Sequence, residues 1–241
     1  MAIPSITLAP SSGDEANLPI AVTVTGTNIF ERPNYTDREL FDVVDSRWKG
    51  GATQGLGVIG DSFVGNGTDA YWTESFIHQD QTFVGFAVFV KMNSGASLGR
   101  IMDFSNNSQP GAFDCYIDSS GKVGAIAWGE TGTSVERKNI LTIEAIPFDT
   151  WTSIIAYVDL SAPTDTPRIF INGVEATYTI NDNDSFSLLN EMDHIHIGAD
   201  FYLGGVYNFF DGDICNAYWS LDSDFKNKVA EYANLPTVEL N

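Results

Sequence analysis

Cysteine is nearly absent from this chain: Cys115 and Cys215 are the only two in 241 residues. Neither lies in a metal-ligand spacing such as CxxC, which argues against a thiolate metal site. Both sit in apolar strand-like runs, where buried free thiols are expected rather than a disulfide. Basic residues are also scarce. Lysine and arginine number 12 against 32 aspartates and glutamates, a formal net charge of −20. A surface of that sign repels phosphate backbones and anionic lipid heads, so neither nucleic acid nor a membrane surface is an expected partner. It suits solubility, and more sharply cation binding or docking on a basic partner. No run of roughly 18 apolar residues occurs, so no membrane-spanning helix is expected. The start, Met1-Ala-Ile-Pro-Ser-Ile, has neither a basic beginning nor a long apolar stretch and does not read as a signal peptide.

What the chain does have is strand material. Hydrophobic residues make up 43% and aromatics 12%, with 22 glycines, 16 phenylalanines and 9 tyrosines. That is enough to bury one large core, and the mix favours strands and turns. Residues 1–35 stand apart. Ile6-Thr7-Leu8 and Ile20-Ala-Val-Thr-Val24 are short β-prone runs around the loop-like Pro10-Ser-Ser-Gly-Asp-Glu-Ala-Asn17. They read as an N-terminal arm or as edge strands, and 36–241 as one β-sandwich domain.

The strongest strand runs from Thr82 to Met92. Val84, Phe86, Val88, Val90 and Met92 fall on one face; Phe83, Gly85, Ala87 and Phe89 fall on the other. With both faces apolar, something must cover the outer one: the arm, a long loop or another subunit. Asp118-Ser-Ser-Gly-Lys122 and Asn172-Gly173 predict hairpin turns, the second being the better signal. One short helix is predicted near 223–234. Asp222 or Ser223 would cap it, and Phe225, Val229 and Tyr232 would form its apolar stripe.

The order of five pieces resembles the concanavalin A-like, laminin-G-like superfamily. Phe63-Val-Gly-Asn-Gly-Thr-Asp-Ala-Tyr-Trp72 is similar to its F-x-G-x-G-x-Y opening strand. The strand of Thr82 to Lys91 is similar to its long strand ending in W-V-K, with Phe89 where Trp is common. Trp151 to Asp159 is similar to W-H-H-V-A-x-x-x-D, and Arg168-Ile-Phe-Ile-Asn-Gly173 to the L-Y-V-N-G hairpin. Ile197-Gly-Ala199 and Phe210-Asp-Gly-Asp-Ile214 are similar to its closing section. The resemblance covers roughly residues 57–235. It implies an all-β fold, a two-sheet antiparallel jelly-roll sandwich with one short C-terminal helix. It does not imply one activity.

Several constellations are candidate sites. Glu191-Met-Asp193 matches the spacing of the superfamily's glucanase motif, but His194 and His196 stand where a third carboxylate would be. Retaining hydrolysis needs two carboxyls flanking the bond, so no catalytic residue is assigned. His194 and His196 alternate onto one side of a strand and read as a water-exposed polar face or, with Asp193 or Asp200, as the beginnings of a metal site. The resemblance brings one cofactor into view, Ca²⁺ at the sandwich rim, with Asp211 and Asp213 as candidate ligands; otherwise none is expected. Phe201 to Phe210 combines glycines with five aromatic rings, and Tyr71-Trp72 reads as an exposed pair. The carbohydrate-binding or interface candidates are Trp72, Tyr202, Tyr207 and Phe209.

The function placed first is a non-enzymatic structural or interaction protein. With no leader-like start, no span and an arm ahead of a fold that also serves viral proteins, the expectation is a bacteriophage virion surface subunit: capsid decoration, knob or fibre. It would assemble as a homo-oligomer or on other virion proteins, with an extracellular location as the alternative. A lectin module recognising a cell-surface glycan comes second, and a glycoside hydrolase third.

Overall fold

The computed structural model describes residues 6–8, 22–24, 48–57, 61–106, 111–131, 134–162 and 166–229. Two large antiparallel sheets form a sandwich. In spatial order the first holds β15 (Tyr178–Asn183), β11 (Ser134–Ala145), β10 (Lys122–Thr131) and β9 (Phe113–Ile117). It continues with β8 (Gly99–Ser105), β16 (Met192–Ile197), β6 (Tyr71–His78) and β3 (Trp48–Lys49). The second holds β14 (Val174–Glu175), β13 (Arg168–Ile171), β12 (Thr152–Asp159) and β7 (Phe83–Met92), then β19 (Asp211–Ser220), β5 (Asp61–Asn66) and β4 (Thr53–Leu56). A separate hairpin is made of β17 (Asp200–Tyr202) and β18 (Gly205–Tyr207). Of the predicted arm, β1 (Ile6–Leu8) pairs antiparallel with β2 (Val22–Val24); its other residues lie outside those described.

Turn chemistry closes the hairpins where the sequence predicts. Asn172 and Gly173 hold φ of 50° and 80°, the left-handed pair that a two-residue turn needs. Asn172 Oδ1 also accepts from the Ser153 amide at 3.0 Å, anchoring the turn to β12. In Asp118-Ser-Ser-Gly-Lys122, Asp118 Oδ1 accepts from the amides of Ser120 and Lys122.

The core lies between the sheets. Val84, Phe86, Val88, Val90 and Met92 all enter it, the face expected from alternation. Rings meet across the layers: Phe86 and Phe113 at 6.1 Å, Phe104 and Trp219 at 6.4 Å. Cys115 and Cys215 are both buried and are not disulfide-bonded, and burial raises the Cys115 pKa.

The outer face of β7 is covered by the chain's own C-terminal region. The predicted helix is a 3-10 helix, Ser223–Lys228, capped by Asp222, whose carboxylate accepts from the Asp224 amide at 2.9 Å. It delivers Phe225 and Val229 onto Phe83, Ala87 and Ile155. Gly85 makes room: a Cβ there would stand 2.8 Å from the Phe225 ring. Further along, Trp151 covers Phe89 and Cys215. The predicted Tyr232 lies outside the described residues. Among the described residues no helix is long and apolar enough to cross a membrane.

Candidate functional site

The outer face of the eight-stranded sheet carries the chemistry. Strand alternation turns Phe113, Cys115 and Ile117 of β9 into the core, which leaves Asp114 and Tyr116 facing outward. On β8 a register shift between Arg100 and Met102 keeps Met102 and Phe104 in the core while Arg100 and Asp103 face the same side as Asp114. Trp128 on β10 joins them. The β17–β18 hairpin folds over this face, and together they enclose a cleft of about 620 Å³.

Arg100 organises the cleft. Its Nη1 lies 2.5 Å from Asp114 Oδ1 and its Nε 3.0 Å from Asp200 Oδ2. Its guanidinium packs over the Tyr116 ring at 5.0 Å. Tyr116 can lie flat because Gly124 has no side chain beneath it: a Cβ there would fall 2.1 Å from the ring. Asn208 Nδ2 donates to Asp200 Oδ2 at 2.8 Å, and Trp128 Nε1 to Asp114 Oδ2 at 3.3 Å. Burial alone would lower the pKa of Arg100, but Asp114 and Asp200 outweigh it, so the group stays cationic. Burial raises the pKa of Asp114 against the pull of Arg100. It raises that of Asp103 well above the usual carboxylate range, with Asp114 adding repulsion.

The hairpin is fastened at its base. The Phe201 amide donates to Asp103 Oδ2 at 2.9 Å, and the Arg100 amide to the Asn208 carbonyl at 2.8 Å. Phe201 lies on His196 with ring centroids 5.3 Å apart, and Tyr71 stands 5.9 Å from His196. At the tip, Leu203 and Gly204 hold φ of 50° and 77°, a left-handed pair in which leucine is strained by about 1 kcal/mol. Tyr202 and Tyr207 are 44% and 51% exposed and both line the cleft.

The expected site residues separate accordingly. Tyr202 and Tyr207 belong to the cleft. Phe209 sits 6.1 Å from Tyr71, beside the row of rings under the hairpin. Trp72 is a correction: it is 2% exposed and lies in the core, because its neighbour Tyr71 takes the outward position on β6. His194 and His196 do share a face, 5.8 Å apart, yet His196 is buried beneath Phe201 and not water-exposed. Burial, reinforced by His194, lowers its pKa to about 3.

The calcium candidates have other partners. Asp213 Oδ2 is 2.5 Å from Lys91 Nζ, and Asp211 Oδ1 accepts from Asn93 Nδ2 at 2.7 Å. Among the described residues no three His, Cys, Asp or Glu side chains converge as metal ligands. Glu191 is exposed and accepts from Gln79 Nε2 at 2.6 Å, while Asp193 Oδ1 pairs with His194 Nδ1 at 2.7 Å. Arg100, Asp103, Asp114 and Trp128 are the residues that sequence reading misses, and Asp200, expected only as a candidate metal partner of the histidines, pairs with Arg100 instead. The one local signal is the polar residue set among apolar ones in Phe113-Asp-Cys-Tyr-Ile; Arg100 and Asp103 share a face only through the register shift on β8.

An antiparallel two-sheet sandwich with a polar, aromatic-rimmed cleft on one outer face defines a lectin-like class of fold. The chain belongs to the concanavalin A-like lectin/glucanases superfamily, whose profile matches residues 65–220. A search of curated proteins finds no sequence match. Among solved structures, the chain is similar to the CBM40 domain of the Ruminococcus gnavus IT-sialidase bound to α2,3-sialyllactose. That likeness has TM-score 0.50 and 17% identity over 64% of this chain and 83% of that one. It is similar to the heptameric SAP-like pentraxin of Limulus polyphemus, with TM-score 0.52 and 13% identity over 70% and 77%. It is also similar to the binding domain of botulinum neurotoxin DC in complex with SialylT, with TM-score 0.51 and 11% identity over 78% of this chain and 46% of that one. At such identities these are likenesses of fold.

Proposed function

We propose that this chain is a non-enzymatic carbohydrate-binding module whose glycan seat is the cleft under the β17–β18 hairpin. The observation that carries the reading is the pair of exposed tyrosines, Tyr202 and Tyr207, standing over the hydrogen-bonding groups of Arg100, Asp114 and Asp200. Sugars present flat C–H faces and rings of hydroxyls, and such a site offers a partner to each. Large exposed aromatics beside a cleft are costly to keep wet without a ligand to cover them. Two of the similar structures hold sialylated ligands, which supports the reading by analogy of fold.

A glycan array probed with the intact chain, followed by calorimetry on the hits, tests it. Binding is expected, and Tyr202→Ala with Tyr207→Ala should weaken it about tenfold or more, equivalent to ~1.4 kcal/mol, with the thermal midpoint unchanged. Hits that ignore this double substitution would move the seat elsewhere. The virion-surface role expected from the sequence stays a proposal about where such a module is mounted. Its test is whether deleting residues 1–30 leaves a folded chain that no longer assembles or docks on a particle.

A further inference from the structure

We infer that the cleft selects neutral sugars, which bring hydroxyl hydrogens to its carboxylates, and turns away sialic acids and other acidic sugars. The inference rests on the cleft being the glycan seat and concerns what that seat accepts.

The first ground is the state of Arg100. An arginine that captures a carboxylate does so by offering its planar fork to two oxygens at once. Here two of its five N–H donors are engaged, Nη1 with Asp114 and Nε with Asp200, and its face lies on Tyr116. A ligand carboxylate would either displace one of two largely buried aspartates or share with them a single guanidinium whose charge they already balance. Both outcomes strand a buried charge, which is unfavourable.

The second ground is the balance of the surrounding groups. The cleft holds one guanidinium against the carboxylates of Asp114 and Asp200, with the Asp103 carboxyl, whose neutral form burial favours, beside them. The two carboxylates accept hydrogen bonds and cannot donate them, so they suit the hydroxyl hydrogens of a sugar and repel a ligand carboxylate. Arg137, whose guanidinium lies 5.8 Å from the Trp128 ring, is itself paired with Asp182 at 2.9 Å. The chain's net charge of −20 adds a long-range field of the same sign as an acidic sugar.

The aromatic walls fit the same ligand. Trp128, Tyr202 and Tyr207 supply stacking faces, and Tyr207 is held across Gly205: a Cβ on that glycine would lie 2.4 Å from the tyrosine hydroxyl. Stacking depends on the C–H face of the sugar and not on its charge, so affinity comes from the rings while the carboxyls set which sugars are admitted.

Matched pairs on the intact chain test this: lactose against 3′-sialyllactose, and maltotriose and xylotriose against oligogalacturonate and glucosamine oligomers, by calorimetry at low and at physiological salt. The neutral partner is expected to bind at least about tenfold tighter than its acidic counterpart, with the gap narrowing as salt rises. Asp200→Asn, checked for an unchanged circular dichroism spectrum, should narrow that gap at low salt. Tighter binding of 3′-sialyllactose than of lactose, or binding confined to acidic or to cationic glucosamine chains, overturns the inference while leaving the glycan seat in place. No binding of any arm removes the seat itself, and the inference with it.

Discussion

The rings of His196 and Phe201 lie parallel, 6° apart in plane, with their centroids separated by 5.3 Å. This contact joins the eight-stranded sheet to the hairpin that roofs the cleft. It places an uncharged imidazole where an exposed histidine would be half protonated near pH 6.5. Beside it lies Asp103, whose Oδ2 is 3.8 Å from His196 Nδ1. The distance is that of an ion pair, but burial favours the neutral form of each partner, and Ser105 Oγ shares a hydrogen bond with the same nitrogen at 3.0 Å.

Stability should therefore fall on acidification through His196. The unfolded chain takes up a proton near pH 6.5 while the folded imidazole resists until about pH 3. The contribution is complete above pH 6.5 and is lost between there and about 3, at up to ~1.4 kcal/mol per pH unit. Asp103 runs the other way, because its raised pKa contributes most below the unfolded carboxylate value and less as pH rises. Thermal unfolding of the native chain and of His196→Phe at pH 4, 5, 6 and 7 checks this. The native chain should lose ground to the variant as pH falls, and a pH-independent difference would count against it.

Arg100→Met should destabilise the chain by about 3–5 kcal/mol, because it strands Asp114 and Asp200 without their cation. Urea unfolding measures the loss. The deficit should be smaller at pH 4 than at pH 7, since a proton on Asp114 replaces the missing charge. Adding Asp114→Asn and Asp200→Asn should recover part of it.

Phe225→Ala should cost about 3–5 kcal/mol, the range for emptying a buried phenylalanine site. It should also uncover Phe83, Ala87 and Ile155 on the outer face of β7. Dye binding to exposed apolar surface would report the second effect. Gly85→Ala, which drives a methyl against the Phe225 ring and the Tyr157 Cβ, should cost about 1–3 kcal/mol through overpacking. A Phe225→Ala chain with the native unfolding midpoint would show that the 3-10 helix does not protect this face.

Glu191→Gln should abolish no polysaccharide turnover and shift stability by no more than about 0.5 kcal/mol, as expected for an exposed side chain with one polar partner. Reducing-sugar release from β-glucans and other polysaccharides, measured for both chains, decides it. Turnover by the native chain that vanishes in the variant would restore the glycosidase reading.

Much of the sandwich is written in local pattern. Alternation from Thr82 to Met92 determines which residues enter the core and that the opposite face needs a cover. Asn172-Gly173 determines a hairpin because those two residues accept the left-handed conformation it needs. The aromatic, glycine-containing stretch from Phe201 marks Tyr202 and Tyr207 for the same local reason. What covers β7 was open, since the arm, a loop and a neighbouring subunit satisfy the pattern equally; the fold assigns the task to Phe225, Val229 and Trp151. Tyr71 and Trp72 differ by one position in one strand. Only the pairing of Trp72 with Ile197 and with Trp48, which sets the register of β6 between its neighbours, decides that tryptophan faces the core and tyrosine the hairpin. Arg100, Asp114 and Asp200 each read alone as an ordinary outward-facing charge. Their meeting depends on β8 and β9 lying side by side and on a hairpin a hundred residues further along folding back over them. A period of two tells a residue which side of its own strand it occupies, whereas a site is made by strands that are distant in sequence and adjacent only in the folded sheet.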